Sequence, residues 1–229
     1  MLFTAMVGAG AQILALSSGL LLLSLLGLFY PGNRGALYVA AIFLHALTAG
    51  VAGYVSTNLY VQLGGKRWAT NAVLAAGVFA IPFFCVFTVV NTVALFYGST
   101  SAMPFKMVFL IVLLFCVVTF PLSIFGSMRA KKNGGTFDPP CPPNIKEREL
   151  PYVPFYRSSV AQMFTAGFLP FSAIYIELHY IFASVWGHRV YTLFGILTLA
   201  FIILLIVTAF VTMALTYFQL AMEHYRWWW

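Results

Sequence analysis

Gly167-Phe-Leu-Pro-Phe-Ser-Ala-Ile-Tyr-Ile-Glu177-Leu-His-Tyr-Ile181 carries the strongest fold signal in this chain. It lies inside an apolar run from Val160 to Trp186. At about 1.5 Å per residue such a run is long enough to cross about 30 Å of hydrocarbon as a single helix. Within it stand a helix-weakening proline, Pro170, and a carboxylic acid, Glu177. No other acidic residue falls inside a long apolar run of this chain. An ionisable group at that depth costs roughly 2.5–3.5 kcal/mol on insertion scales, so it faces protein or a wet cavity.

The rest of the chain repeats the pattern without the acid. Of 229 residues, 62% are hydrophobic, 17% aromatic and only 7% charged, whereas soluble domains carry about 25% charged residues. Six apolar runs, 2–28, 37–62, 71–97, 105–128, 160–186 and 191–221, are each long enough to span. The fold class is therefore all-α, a polytopic helical membrane bundle of six transmembrane helices, read as one domain over 1–229 with a polar loop at 129–159. A β-barrel would show short alternating segments instead.

Charge orients the bundle. Lys66, Arg67, Arg129, Lys131, Lys132, Lys146, Arg148, Arg157 and Arg226 fall on one side, and only Arg34, Lys106 and Arg189 on the other. That bias predicts a cytosolic side holding both ends of the chain, residues 63–70 and the 129–159 loop. The net charge of +7 is then a topology signal, and nucleic acid is not an expected partner; the lipid bilayer is. Cys85 and Cys116 lie in apolar runs and Cys141 in a loop on the reducing side, so no disulfide framework, metal or other cofactor is expected. Met1 opens directly into a span too long for a signal-peptide core.

Several polar and small residues stand out within the helices. In the second run Ala46 and Gly50, and Ala49 and Gly53, are four apart, which lines one helix face with small side chains and permits close packing. His45 in the same run reads as a hydrogen-bonded packing residue rather than a ligand. Asn91 in the third run needs an interhelical partner, a bond worth about 0.6–2 kcal/mol. Pro121 predicts local loosening in the fourth run. The long loop carries Lys131-Lys-Asn-Gly-Gly135, Pro139-Pro-Cys-Pro-Pro143 and Lys146-Glu-Arg-Glu149. It reads as an extended basic linker, with Arg148, Leu150 and Pro151 as a candidate docking segment for a cytosolic partner.

The punctuation of the chain resembles the nonaspanins, the transmembrane 9 superfamily. The matches are colinear: Asn33-Arg34-Gly35, Gly53-Tyr54, Leu59-Tyr60, Gly65 with Trp68 and Asn71, Asn91, and Gly98-Ser-Thr-Ser-Ala-Met-Pro-Phe105. Pro121-Leu122, Gly126, Arg148-Glu-Leu-Pro151, Gly167-x-x-Pro170-Phe171, Ile176-Glu177-Leu178, Ser184-Val-Trp186, Phe194-Gly195 and Glu223-x-Tyr225-x-Trp227 continue the series. Ser172, His179 and His224 depart from the family's usual glycine, aromatic and aspartate. The resemblance implies that this chain is the second to seventh of nine helices of a Golgi or endosomal protein. It also implies a role in sorting other membrane proteins, with glycine-rich helices as clients and downstream roles in adhesion or phagocytosis.

Enzyme chemistry is not expected. The apolar runs hold no aspartate, and neither H-E-x-x-H nor G-x-S-x-G occurs. His179 is two residues from Glu177, about 200° round the helix, so the two form no local acid–base pair. Two functions remain: a trafficking factor in which Glu177, Asn91, Pro170 and Tyr180 make a polar intramembrane site for a client helix, and a transporter or proton-coupled channel using Glu177. On the charge-based orientation Glu177 lies about 6 Å from the midpoint of its helix, towards the lumen. It shares a face with Pro170, Ala173, Ile174, Tyr180, Ile181 and Ser184.

Overall fold

A computed structural model describes residues 1–29, 35–100, 102–135, 155, 158–187 and 194–221. All regular structure among them is helical, and six helical spans are long and apolar enough to cross a membrane. The spans are α1 (Leu2–Leu25), α2 (Ala36–Gln62), α3 (Trp68–Phe96), a broken span made of α4 (Phe105–Leu114) and α5 (Phe120–Asn133), then α6 (Ser159–Trp186) and α7 (Phe194–Ala221). They fall into two compact units, Met1–Phe137 and Asp138–Trp229.

The first unit is built around α2, which packs against α1, α3 and α5. Its interior is made of small residues: Ala5, Ala9, Ala49, Ala52, Ala72 and Ala130 are buried, together with Thr4, Ser56, Asn71 and Ser127. Large apolar side chains point outward instead, among them Phe43, Leu47, Phe83, Val89 and Phe109. This inversion of the soluble pattern is what a bilayer demands. Leucine gains nothing by leaving lipid for protein, so helices associate through close backbone approach and polar bonds.

Helix boundaries follow local chemistry. Gly64 (φ +78°) ends α2 in a left-handed turn. There the Gly64 N–H donates to the Val61 carbonyl (2.9 Å) and the Gly65 N–H to the Tyr60 carbonyl (2.9 Å), satisfying helix-end acceptors. Gly65 then lies flat on the Tyr60 ring, which leaves no room for a Cβ. A π-helical turn over Phe115–Thr119 separates α4 from α5 and lies just before Pro121. Proline has no N–H for the carbonyl four residues earlier, so the wider turn takes up the mismatch where loosening was expected.

One boundary departs from the sequence reading. The fourth span does not stop at Met128 but continues as helix to Asn133, so Arg129 is helical and Lys131 and Lys132 stand in the last turn rather than at the start of the loop. Cations at a helix C-terminus complement the partial negative charge there. Lys131 also lays its ammonium over the Trp68 ring, 4.9 Å from the centroid.

The second unit is the α6–α7 hairpin. On α6 the half-buried positions include Gln162, Ala166, Ile174, Glu177, Ile181 and Ser184, with Pro170 buried among them. Spacings of three and four place them on one strip, the side along which two helices of a hairpin pack. The other sides of both helices are apolar and exposed, as at Phe164, Phe171, Ile206 and Phe210.

Candidate functional site

Glu177 sits on that strip of α6, one turn beyond Ile174 and two beyond Pro170. Its Oε2 is buried and has no hydrogen-bond partner among the described residues. A carboxyl oxygen shut off from solvent without a donor is costly, whichever protonation state it holds. Pro170 on the same strip lacks the N–H that would reach the Ala166 carbonyl, yet α6 runs unbroken through it. Tyr180 is 58% exposed and its ring meets that of the adjacent His179 edge-on at 6.0 Å. It stands at the margin of the strip, not inside it.

Asn91 belongs to a different feature. Its Oδ1 accepts from the Met103 N–H (2.8 Å) and its Nδ2 donates to the Met103 carbonyl (3.3 Å). The amide mimics a backbone partner and ties the 97–104 turn to the last turns of α3. The expected interhelical partner is thus the backbone of its own hairpin, twelve positions on. With one acceptor and one donor already used, Asn91 is a turn clamp. Asn91→Leu is expected to cost about 1 kcal/mol and to speed amide exchange at Met103; unchanged exchange would refute the clamp.

The small-residue face of α2 makes two contacts at once. Ala46, Ala49 and Gly53 are buried and Gly50 is half-buried. Gly50 meets Leu122, and Gly126 of α5 lies directly on the Gly50 backbone. Gly53 lies against the Ser123 carbonyl, and the Ser127 hydroxyl donates to the Gly53 carbonyl at 3.1 Å. On the neighbouring side of α2, Gly8 of α1 packs where a Cβ would stand 2.5 Å from Ser56 Cβ and 2.6 Å from the Ala52 carbonyl oxygen. These glycines are occupied by helices of the same chain. Arg148, Leu150 and Pro151 lie outside the described residues.

Sequence reasoning missed the buried polar cluster that joins three helices. Asn71, at the start of α3, donates from Nδ2 to Ser56 Oγ of α2 (2.7 Å). Its Oδ1 accepts from Thr4 of α1 (2.8 Å), whose hydroxyl is also 2.8 Å from the Met1 carbonyl. Thr4 is 2% exposed and Asn71 and Ser56 are 0% exposed. Further along, buried Gln12 donates to the His45 carbonyl (2.9 Å) and lies 3.2 Å from His45 Nδ1. Asn71 opens the third apolar run and belongs to the family pattern, but only packing shows its amide to be interior.

A metal centre would need several His, Cys, Asp or Glu side chains in one place among the described residues. No three His, Cys, Asp or Glu side chains come together there. A depression of about 450 Å³ between the ends of α1 and α2, lined by Leu23, Leu28, Phe29, Ala36 and Val39 among others, is apolar and open. None of its lining side chains is polar, so none orients a substrate.

Comparison with known proteins gives the family. The Endomembrane protein 70 family model matches residues 1–229. Transmembrane 9 superfamily member 3 of Arabidopsis thaliana is 53% identical over 228 residues, which are 100% of this chain and 38% of the relative. Transmembrane 9 superfamily member 1 of Mus musculus is 48% identical over 228 residues, with the same coverage of 100% and 38%. Putative phagocytic receptor 1b of Dictyostelium discoideum is 47% identical over 225 residues, 98% of this chain and 38% of that protein. The chain thus spans about 38% of the length of these relatives, whose names are those of membrane proteins and a receptor. No solved structure matches the chain. On the family match and these identities, the chain belongs to the Endomembrane protein 70 family, the transmembrane 9 superfamily.

Proposed function

We propose that this chain is part of a non-enzymatic endomembrane protein that sorts and delivers other transmembrane proteins, and that Glu177 receives a client helix. The observation that carries the proposal is the buried, unpartnered Oε2 of Glu177 on a hairpin whose remaining faces are apolar and uncovered. A marginally apolar client helix, rich in glycine, parts the hairpin at this strip, brings its backbone close and offers polar hydrogens to that oxygen. The basic ends of α2, α3 and α5 face the cytosol on this reading, and the compartment is the Golgi or endosome. The name of the Dictyostelium relative is in keeping with a downstream role in phagocytosis.

Glu177→Ala is expected to leave thermal stability unchanged and to lower co-purification of a glycine-rich client helix by about 3- to 30-fold, the factor for one interhelical bond. Unchanged recovery would refute the client role. A large loss of stability would show instead that the carboxyl bonds within its own protein.

A second reading, transport coupled to Glu177 protonation, is favoured by the buried Pro170 on the same strip, since a missing backbone bond marks the irregular helices of transporters. Proteoliposomes with a pH gradient decide it: uptake abolished by Glu177→Ala supports transport, and absent flux rejects it.

A further inference from the structure

Three helix ends of the first unit converge, and every charged side chain they carry is a cation. Gly134, just after α5, lies against Val61 near the end of α2, where a Cβ on the glycine would stand 3.0 Å from Val61 Cγ1. Lys131 of α5 lies over Trp68 at the start of α3, 4.9 Å from the ring centroid. These two contacts bring Lys66, Arg67, Arg129, Lys131 and Lys132 to one end of the bundle, and all five are exposed. Residues 1–137 contain no aspartate or glutamate, so the unit has no counter-ion of its own. Nor does the following segment hold a surplus of acid: over 138–159 Asp138, Glu147 and Glu149 are balanced by Lys146, Arg148 and Arg157.

We infer that this converging end is a binding surface for anionic phospholipid headgroups, seated on Trp68 and held by Lys66, Arg67, Arg129, Lys131 and Lys132. The half-buried Trp68 ring marks the headgroup level, where an indole is half apolar and half wet. At that level lysine and arginine can lay their stems along apolar surface and still carry their charged heads to phosphate. Separate basic residues scattered on a loop would satisfy a charge bias equally well. Here packing gathers cations from two sequence-distant segments, 66–67 and 129–132, round one aromatic anchor, which concentrates the field at one point.

The full chain reconstituted in vesicles of phosphatidylcholine with phosphatidylserine as the minor component tests this, with retained lipid read by native mass spectrometry. The wild type is expected to retain phosphatidylserine over phosphatidylcholine, and each neutralised residue to lower that preference about fivefold. Lys66→Gln/Arg67→Gln removes one segment's cations and Lys131→Gln/Lys132→Gln two of the other segment's three, while Lys131→Arg/Lys132→Arg keeps the charge and is expected to keep the preference. Raising ionic strength on the wild type alone should also erode it, because exposed charges are screened. That measurement stands even if a neutralised variant fails to fold. Equal retention of the two lipids by the wild type, or a preference insensitive to salt, overturns the proposal. So does a marked rise in phosphatidylserine retention on Glu147→Gln/Glu149→Gln, which would make the chain's own acids the occupant.

Discussion

Gly53→Val is expected to destabilise the first unit by about 3 kcal/mol, the upper range for overpacking. The glycine faces the backbone carbonyl of Ser123 and the Ser127 hydroxyl. A carbonyl on a helix cannot rotate away as a side-chain tip can, so α2 and α5 must separate. Separation also breaks the Ser127 bond to the Gly53 carbonyl and lifts Gly126 from the Gly50 backbone. Gly126→Val approaches the same interface from the other side and should behave alike. Gly10→Ala, where no atom lies within 4 Å, is the matched control and is expected to keep wild-type stability. Thermal unfolding in a mild detergent compares the three. If Gly53→Val melts with the control, the close approach of α2 and α5 is not what holds the unit together.

Asn71→Leu comes next, at about 2–4 kcal/mol. It removes two interhelical bonds worth about 0.6–2 kcal/mol each, and Leu is branched where a flat amide stood. Ser56 loses its donor and Thr4 keeps only the Met1 carbonyl. Because α1 meets α3 through this cluster, hydrogen exchange should rise first in α1. The pair Thr4→Val and Asn71→Leu should be non-additive, since both delete the same bond. Additive losses would show that Thr4 and Asn71 act independently.

How far the architecture was legible depended on the kind of signal. The six spans were readable because a length requirement near 20 apolar residues is imposed by the bilayer, not by the fold. The face Ala46, Ala49, Gly50 and Gly53 was readable as a periodic stripe, but not the identity of its partners. Pro121 pointed to irregular backbone, and a π-turn lies there. Arg129 to Lys132 were misplaced in a loop because charge ends an apolar run without ending a helix.

The polar residues divided differently. Glu177 stood out at once, since one acid among apolar side chains is anomalous whatever surrounds it. Asn91 also stood out, yet its partner is the backbone of Met103, and no sequence pattern marks a carbonyl and an N–H as the takers of an amide. Thr4 and Ser56 were silent and Asn71 figured only in the family pattern, because the burial of a small polar side chain depends on which helix packs against it.

From the sequence alone came the number of spans, the charge asymmetry, the family pattern and the isolation of Glu177, all properties of composition along one chain against a uniform solvent. Which small residues touch, which amides are buried and which cation lies over Trp68 came from packing alone. Those depend on residues from distant helices meeting, and lipid, unlike water, exerts no hydrophobic pull that would write the meeting into the pattern.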